Sequence, residues 1–497
     1  MNSNNSALHD IEVKAEEIKA RLNELEHVED ARLDAIWKYL QQSEKLMRII
    51  FDAENKDEKP DVGDQEGELE YGPILYMLHH LPEKIAFITA LLEKLGMPAS
   101  DITPAIWGTY IDRLKGEGYY GGDGTLLQGD GSADYLYKYV QLDPGWAFSA
   151  YEYVAYLIDL FGLYKRADFG TTPHTTNICD KELNELTIAI VGDWGTGVWT
   201  DGNQPKCPSQ LVMKQLTDLN PDVIIHLGDV YYAGNEGIGS QKLGEEYINF
   251  VSQWPSSAPK LSFTLNSNHE MYGGGNGYFK VAMASDIFQT NQTGTSYFAI
   301  NYGAWLIVGL DSAYYDTSTL YMSGALYDEN VEKSLEQKQF MESCAKSAKE
   351  NNQRLIVMTH HNPLLVNGEM PAKAKDQLLW DQMTSGLGYP DYWYWGHVHN
   401  AIIYTDKSGA GSNTHCRCIG HGAIPFAKGY ELEDAQAKGV VDYYAKTPMV
   451  GSTEHPLTES QKLRVLNGFA TITLKGDSIT EKIFETGNPQ AVWTSSP

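Results

Sequence analysis

The sequence has little positive charge. It contains 38 Lys and Arg residues against 66 Asp and Glu residues, so its formal net charge is −28 over 497 residues. Nucleic acids and anionic membrane leaflets are bound through clustered Lys and Arg side chains. This balance therefore argues against a general nucleic-acid binder and against electrostatic docking on a membrane. It leaves phosphate-containing ligands open, because bound cations can supply positive charge locally.

Cysteines and long apolar runs are also scarce. The five cysteines are too few and too scattered for a disulfide scaffold. No apolar run approaches the roughly 20 residues that a membrane-spanning helix needs. The first ten residues lack the basic and apolar segments of a secretory signal. We therefore expect a cytoplasmic protein without membrane attachment, with unconventional secretion as the alternative.

The first 180 residues are predicted to form a mainly helical region. Between residues 8 and 51, apolar residues recur at spacings of three and four, which is typical of amphipathic helices. Such helices pack on their own domain or form a coiled-coil dimer, and the sequence leaves both interpretations open. A homo-oligomer formed through this region is thus a hypothesis. No catalytic motif stands out in it, and its role is not predicted.

After residue 180 the pattern changes to short apolar runs that alternate with loops and helical stretches. Several runs consist almost entirely of large apolar residues, as in strands that are buried on both faces of a sheet. The predicted strands are 186–191, 223–227, 261–265, 305–310, 354–359 and 392–395, followed by a hairpin of 469–474 with 479–484. Alternation of strands and helices predicts a layered α/β domain over residues 181–497.

Five of the predicted strands end in side chains that can bind metals. The successive ends read Gly-Asp193-Trp-Gly, Gly-Asp229-Val-Tyr-Tyr232, Asn268-His269-Glu270, His360-His361 and Gly-His397-Val-His399. Ligands of open α/β sheets bind beyond the carboxyl ends of the strands. Oxygen and nitrogen donors of this kind suit hard or borderline divalent and trivalent metals. The ordered set therefore predicts a metal site at this edge of the domain.

Two of these motifs carry further information. His397 and His399 are two residues apart, so on a strand their side chains share a face. In the pair of adjacent histidines we favour His360 as the ligand because it ends the strand directly, with His361 as the alternative.

This ordered series resembles the motifs of the calcineurin-like metallophosphoesterases over residues 182–486. Among them it is most similar to the purple acid phosphatases, because of the Gly-Asp-Trp-Gly form and the tyrosine three residues after Asp229. The resemblance implies a layered α/β/β/α sandwich with mixed sheets. One departure is Ser267, which stands where the family usually has a glycine before Asn268.

The resemblance also implies a binuclear metal centre. Asp229 would bridge the two ions. The first site would be completed by Asp193, Tyr232 and His399, and the second by Asn268, His360 and His397. A tyrosinate ligand favours Fe³⁺ in the first site, and the second would suit Zn²⁺, Fe²⁺ or Mn²⁺.

The function that this implies is metal-dependent hydrolysis of a small phosphoester. A metal-bound hydroxide would attack phosphorus, and His269 would donate a proton to the leaving group while Glu270 orients it. Phosphomonoesters are the favoured substrates, as for an acid phosphatase. The alternatives are a phosphodiesterase or nucleotide pyrophosphohydrolase, and a non-catalytic scaffold on the same fold. The acidic composition predicts that nucleic acid is not a partner.

A second cluster of possible zinc ligands follows the last motif. It comprises His415, Cys416, Cys418 and His421, whose spacing matches no common zinc module. A structural role for these residues is the favoured interpretation.

Overall fold

The structure is a computed structural model that describes the carboxyl-terminal two thirds of the chain. The described ranges are 165–170, 173–178, 184–201, 204–237, 241–259, 261–318, 321–371, 378–426, 429–457 and 461–495, with the five earlier positions 139, 149, 152, 153 and 156. The helices predicted between residues 8 and 51 lie outside them. No helix among these residues is long and apolar enough to cross a membrane.

Six strands of the described chain form one mixed sheet. In chain order they are β2 (Leu186–Val191), β3 (Val223–His226), β4 (Leu261–Thr264), β12 (Gly468–Lys475), β13 (Ser478–Glu485) and β14 (Trp493–Thr494). Their order across the sheet is β14-β13-β12-β2-β3-β4. β2, β3 and β4 are parallel, whereas β12 runs antiparallel to both β2 and β13. The three parallel strands therefore end at one edge of the sheet.

Eight described strands form a second mixed sheet. They are β1 (His174–Ile178), β5 (Phe298–Tyr302), β6 (Trp305–Gly309), β7 (Arg354–Thr359), β8 (Tyr392–Trp395), β9 (Ala401–Tyr404), β10 (His415–Ile419) and β11 (Val441–Tyr444). Their order is β1-β5-β6-β7-β8-β10-β9-β11. β6, β7, β8 and β10 are parallel to one another, so the loops after β7 and β8 leave from the same edge.

The two sheets pack face to face, and helices cover their outer faces. Apolar side chains of both sheets, such as Ile188, Phe263 and Ile356, form one buried cluster between them. The helices are α1 (Pro208–Asp218), α2 (Asn268–Tyr272), α3 (Gln289–Gln292), α4 (Leu335–Glu350), α5 (Leu378–Gly386) and α6 (Tyr430–Ala437). α1 packs on the six-stranded sheet, and α4, α5 and α6 pack on the eight-stranded sheet. This arrangement confirms the predicted α/β/β/α layers with mixed sheets.

Short helical turns join these elements. Single turns of 3₁₀ helix occur at Gln241–Leu243, Val251–Gln253, Glu332–Ser334 and Gln461–Leu463, and π-helical turns at Glu246–Phe250 and Tyr278–Ala282. They lie in the connections around the sheets and hold no predicted site residue.

The first described strand lies on the amino-terminal side of the predicted domain boundary. β1 precedes residue 181, yet it pairs in parallel with β5 at the edge of the eight-stranded sheet. The division of the chain at residue 181 stays a prediction, but the sheet itself begins before it.

Candidate metal centre

The predicted site residues stand on sharp turns just beyond the strand ends. Asp193, Asp229 and His397 have positive φ angles of 57°, 77° and 64°. Non-glycine residues are held in this left-handed region at a cost of order 1–3 kcal/mol each, and such strain clusters at functional sites. The turns bring the carboxyl edges of both sheets together, since the backbone N–H of His397 donates to Asp193 at 2.9 Å.

Four of the predicted residues place possible metal-ligand atoms close together and form a first donor group. The Nε2 atom of His360 lies 2.8 Å from Asn268 Oδ1, 3.0 Å from His397 Nδ1 and 3.2 Å from Asp229 Oδ1. The Asn268 amide is oriented by its own Nδ2, which donates to the Tyr272 hydroxyl at 2.9 Å. The amide oxygen therefore faces the histidines. Oxygen and nitrogen lone pairs that face one another in this way repel, and a bound cation would stabilise them.

The two histidines of this group are oriented by backbone carbonyls. The Nδ1 atom of His360 donates to the carbonyl of Leu227 at 2.8 Å, and the Nε2 atom of His397 donates to that of Met322 at 3.3 Å. Hydrogen bonds of this kind fix the tautomer of a metal-binding histidine. When both rings are neutral, the lone pairs of His360 Nε2 and His397 Nδ1 face each other at 3.0 Å.

A second group of donors lies on the other side of Asp229. The Tyr231 hydroxyl is 3.0 Å from Asp229 Oδ2, 3.3 Å from Asp193 Oδ1 and 3.1 Å from His399 Nε2. His399 Nε2 is in turn 3.4 Å from Asp193 Oδ1. Asp193, Asp229 and His399 form one metal-capable group, with donor atoms within 4.8 Å of one another. Asp229 thus presents one carboxylate oxygen to each group, as a bridging residue must.

The tyrosine at this point is the neighbour of the one that the motif singles out. Spacing from Asp229 predicts Tyr232, but the hydroxyl beside the two carboxylates belongs to Tyr231. The Tyr232 hydroxyl accepts a hydrogen bond from the backbone N–H of Tyr139 at 3.1 Å, and its ring lies 4.8 Å from the ring of Tyr139. Counting residues within the motif selects Tyr232, but it does not record which of two adjacent rings lies beside the carboxylates.

The adjacent histidines are distinguished by their partners. His361 can join His360 and His397 in a metal-capable group. However, both of its ring nitrogens face other groups, since Nε2 donates to the Tyr321 carbonyl at 2.6 Å and Nδ1 lies 2.8 Å from the Ser312 hydroxyl. This geometry favours His360, as the sequence did.

Ser267 connects the acidic residues of the site. It caps the amino terminus of α2, where its hydroxyl accepts from the backbone N–H of His269 and lies 2.5 Å from Asp229 Oδ1. The same hydroxyl contacts Glu270. A hydroxyl has one hydrogen, so if Asp229 accepts it, Glu270 must bring its own proton. Burial, together with the charge of Asp229, raises the pKa of Glu270 to about 8, which agrees with a protonated carboxyl.

Charges within the site keep its ligands in the forms that bind metals. Burial opposes ionisation of Asp229, but the facing His360 and His269 and the Ser267 hydroxyl hold its pKa below the ordinary value. Burial lowers the pKa of His360 to about 3, so this ring is neutral over the physiological range. A carboxylate and a neutral imidazole are the required ligand forms.

His269 lies beside the donor groups without belonging to the closest contacts. Its Nδ1 atom donates to the Tyr232 carbonyl at 2.6 Å, and its Nε2 atom lies 3.9 Å from Asp229 Oδ2. The residue is 5% exposed, so little solvent reaches it. This orientation leaves Nε2 directed toward the space around the two donor groups.

The second predicted cluster does not converge in the structure. Cys416 and Cys418 pack in the apolar cluster on the helix-covered face of β10, whereas the His415 ring lies against Tyr392 on the other face. The Cys418 thiol is 3.2 Å from the carbonyl of Val398. The favoured structural interpretation of these residues is consistent with this packing.

The segment that carries the site matches a known protein family in sequence. Residues 186–401 match the family model described as calcineurin-like phosphoesterase. This segment is therefore similar to the calcineurin-like phosphoesterases, and the similarity supports metal-dependent hydrolysis of a phosphoester. The matched segment contains all the predicted site residues, from Asp193 to His399.

Solved structures give weaker similarities. They include the GAP50 anchor of the inner membrane complex of Plasmodium (12% identity, 63% of this chain and 88% of that one, TM-score 0.41). A dimetal phosphatase from Danio rerio (14%, 62% and 98%, TM-score 0.37) and PhoD (11%, 66% and 70%, TM-score 0.40) are similar at the same level. TM-scores this low carry no argument about function. A comparison with curated proteins gave no significant match.

Proposed function

We propose that this protein is a binuclear metal-dependent phosphomonoesterase of the purple acid phosphatase type. The observation that carries the proposal is Asp229, whose two oxygens each face a separate group of donors. A carboxylate in this position can bridge two ions. The donors around it are oxygen and nitrogen atoms, as hard and borderline metals require.

The two groups would hold different ions. Asp193, Tyr231 and His399 would bind one ion with Asp229, and an ionised tyrosine there favours Fe³⁺. The second ion, Zn²⁺, Fe²⁺ or Mn²⁺, would be held by Asn268, His360 and His397, again with Asp229. Two such ions supply Lewis acidity to the phosphoryl group and make water a nucleophile near neutral pH.

The chain's own residues supply the proton chemistry. In its doubly protonated form, His269 would donate the Nε2 proton to the leaving oxygen while its Nδ1–H stays hydrogen-bonded to the Tyr232 carbonyl. Glu270 is buried and hydrogen-bonded to Ser267, so it would stabilise the amino terminus of α2, which carries His269. In this arrangement no serine or cysteine nucleophile is required.

A comparison of two substrates tests the proposal. Purified protein of known metal content is assayed with p-nitrophenyl phosphate and with bis(p-nitrophenyl) phosphate. We expect the monoester to have the higher kcat/KM and Asp229→Asn to abolish both activities. A higher kcat/KM for the diester would favour a phosphodiesterase or pyrophosphohydrolase. If neither ester is hydrolysed with both sites occupied, the protein is a non-catalytic member of its family.

A further inference from the structure

Described residues between positions 139 and 170, before the matched domain, reach the candidate site, and we call them the amino-terminal segment. The buried hydroxyl of Ser149 donates to the carbonyl of Tyr232 at 2.8 Å. The same carbonyl accepts the Nδ1 proton of His269 at 2.6 Å. Ser149 lies 83 residues before Tyr232 in the chain and outside the matched residues 186–401. One carbonyl oxygen, with two lone pairs, thus connects the amino-terminal segment to the predicted proton donor.

Other contacts show that this segment packs against the site at several residues. The Tyr153 ring packs edge-on against Tyr272 and Tyr321, at centroid distances of 6.0 and 5.4 Å. Tyr272 is the residue whose hydroxyl orients Asn268. Further along, the backbone N–H of Ala167 donates to the carbonyl of Gly274 at 2.9 Å.

We propose that Ser149 is a positioning residue for His269, which makes the amino-terminal segment part of the catalytic unit. This inference rests on the proposed function. A carbonyl that accepts from two sides has a fixed direction, and the His269 ring follows that direction through its Nδ1 hydrogen bond. Without the Ser149 hydroxyl, the Tyr232 carbonyl loses one of these two hydrogen bonds and keeps the one from His269. The orientation of the His269 ring, and with it the direction of Nε2 toward a leaving group, is then less restricted.

The kinetic test uses the leaving group to separate positioning from general stability. An alkyl phosphate needs proton donation to its leaving oxygen far more than p-nitrophenyl phosphate does. In the full chain, Ser149→Ala should lower kcat for the alkyl ester by about five- to tenfold, the value of one hydrogen bond, with little change for the nitrophenyl ester. Ser149→Thr, which keeps a hydroxyl, should restore the alkyl rate.

A matched control and a double variant sharpen this test. Tyr314→Phe removes another hydrogen bond to the segment, from the Tyr314 hydroxyl to the Ala167 carbonyl, and should leave the ratio of the two rates unchanged. In a His269→Gln background, Ser149→Ala should add no further loss for the alkyl ester. Equal losses for both esters, or additive effects with His269→Gln, would show that Ser149 has only a structural role.

A readout independent of turnover separates this inference from the proposed function. Zinc-loaded full-length protein with ¹⁵N-labelled histidine is compared by NMR, with the His269 signals assigned by loss in His269→Gln. We expect the His269 ring nitrogens to shift in Ser149→Ala and to stay unchanged in Tyr314→Phe. Unchanged His269 signals in Ser149→Ala would overturn the positioning role, whether or not the wild-type protein hydrolyses phosphoesters.

Discussion

Tyr231 and Tyr232 show how much a single residue of offset matters in this site. Both are buried, and both belong to the loop that follows β3. One hydroxyl lies between Asp193 and Asp229, and the other accepts from the backbone of Tyr139. A motif that counts residues from Asp229 selects the second, whereas the geometry selects the first.

Substitution of each tyrosine by phenylalanine tests the choice. If Tyr231 binds Fe³⁺, Tyr231→Phe should abolish the visible tyrosinate-to-iron absorption band, and Tyr232→Phe should keep it. Absorption spectra of iron-loaded protein, at matched iron content, give the answer. A band that disappears only in Tyr232→Phe would favour the motif-based prediction. A colourless wild-type protein that is active with Mn²⁺ would contradict the iron assignment itself.

Glu246 is a buried carboxyl group without a hydrogen-bond partner for either oxygen among the described residues. Burial, together with the neighbouring Glu270 and Glu245, raises its pKa well above the ordinary value of 4.5. The folded state therefore keeps a proton that the unfolded state has already lost above that pH. Its contribution to stability is full below pH 4.5 and declines as pH rises toward the folded-state pKa.

Glu246→Gln should remove this pH dependence, because the amide carries no charge at any pH. We expect the variant to match the wild type near pH 5 and to exceed it in free energy of unfolding at pH 8. Urea unfolding of metal-free protein at both pH values measures the difference. The exposed Glu342 on α4 provides a control, Glu342→Gln. Parallel pH slopes for wild type and Glu246→Gln would contradict the prediction.

At the scale of elements, the sequence predicts those strands that are buried on both faces, together with the polar turns that follow them. The runs at 186–191, 354–359 and 392–395 coincide with β2, β7 and β8, because strands buried on both faces are continuous apolar segments. The polar residues that follow mark the turns into the site. All of the predicted strands and the closing hairpin are present in the structure.

Strands without this pattern were not predicted. β10 reads His-Cys-Arg-Cys-Ile, and its polar residues break the continuous apolar pattern by which the other strands are predicted. Arg417 is buried there because it faces Glu481 of the other sheet, a partner 64 residues away in the chain. Long-range pairing of this kind also decides which of two adjacent tyrosines enters the site, and no local pattern records it.

The Arg417–Glu481 ion pair joins β10 of one sheet to β13 of the other. It is bidentate, with N–O distances of 2.7 and 2.9 Å, and Tyr394 also donates to Glu481. Glu481→Gln would leave the buried guanidinium without a counter-charge and should lower the free energy of unfolding by about 3–5 kcal/mol.

Urea unfolding monitored by circular dichroism measures this loss. Asp218→Asn, which breaks the exposed pair with Lys214 on α1, serves as the control and should change stability by less than about 0.5 kcal/mol. A similar effect of both substitutions would show that the buried pair does not hold the sheets together.

At the scale of the whole molecule, the acidic composition is consistent with a site for phosphate. The net charge of −28 includes Asp193 and Asp229, which would be neutralised by the cations that they bind. The site would then be locally positive on an anionic protein. A small phosphoester can reach such a site, whereas a polyanion meets repulsion from the surrounding surface.

Competition experiments test this selectivity. Inorganic phosphate should inhibit hydrolysis of p-nitrophenyl phosphate, and double-stranded DNA should not do so at the same phosphate concentration in low salt. Steady-state inhibition at two salt concentrations measures both effects. Inhibition by DNA that weakens steeply with added salt would reveal a basic surface and would contradict the prediction.

The most direct measurement is the activity of metal-free protein during stepwise addition of metal, with bound metal determined by elemental analysis at each step. Two donor groups that share Asp229 predict that phosphomonoester hydrolysis reaches its maximum at two bound ions per chain. They also predict that Asp229→Asn neither binds the second ion nor gains activity. Full activity with one ion or none, or no hydrolysis with two ions bound, would contradict the binuclear phosphoesterase.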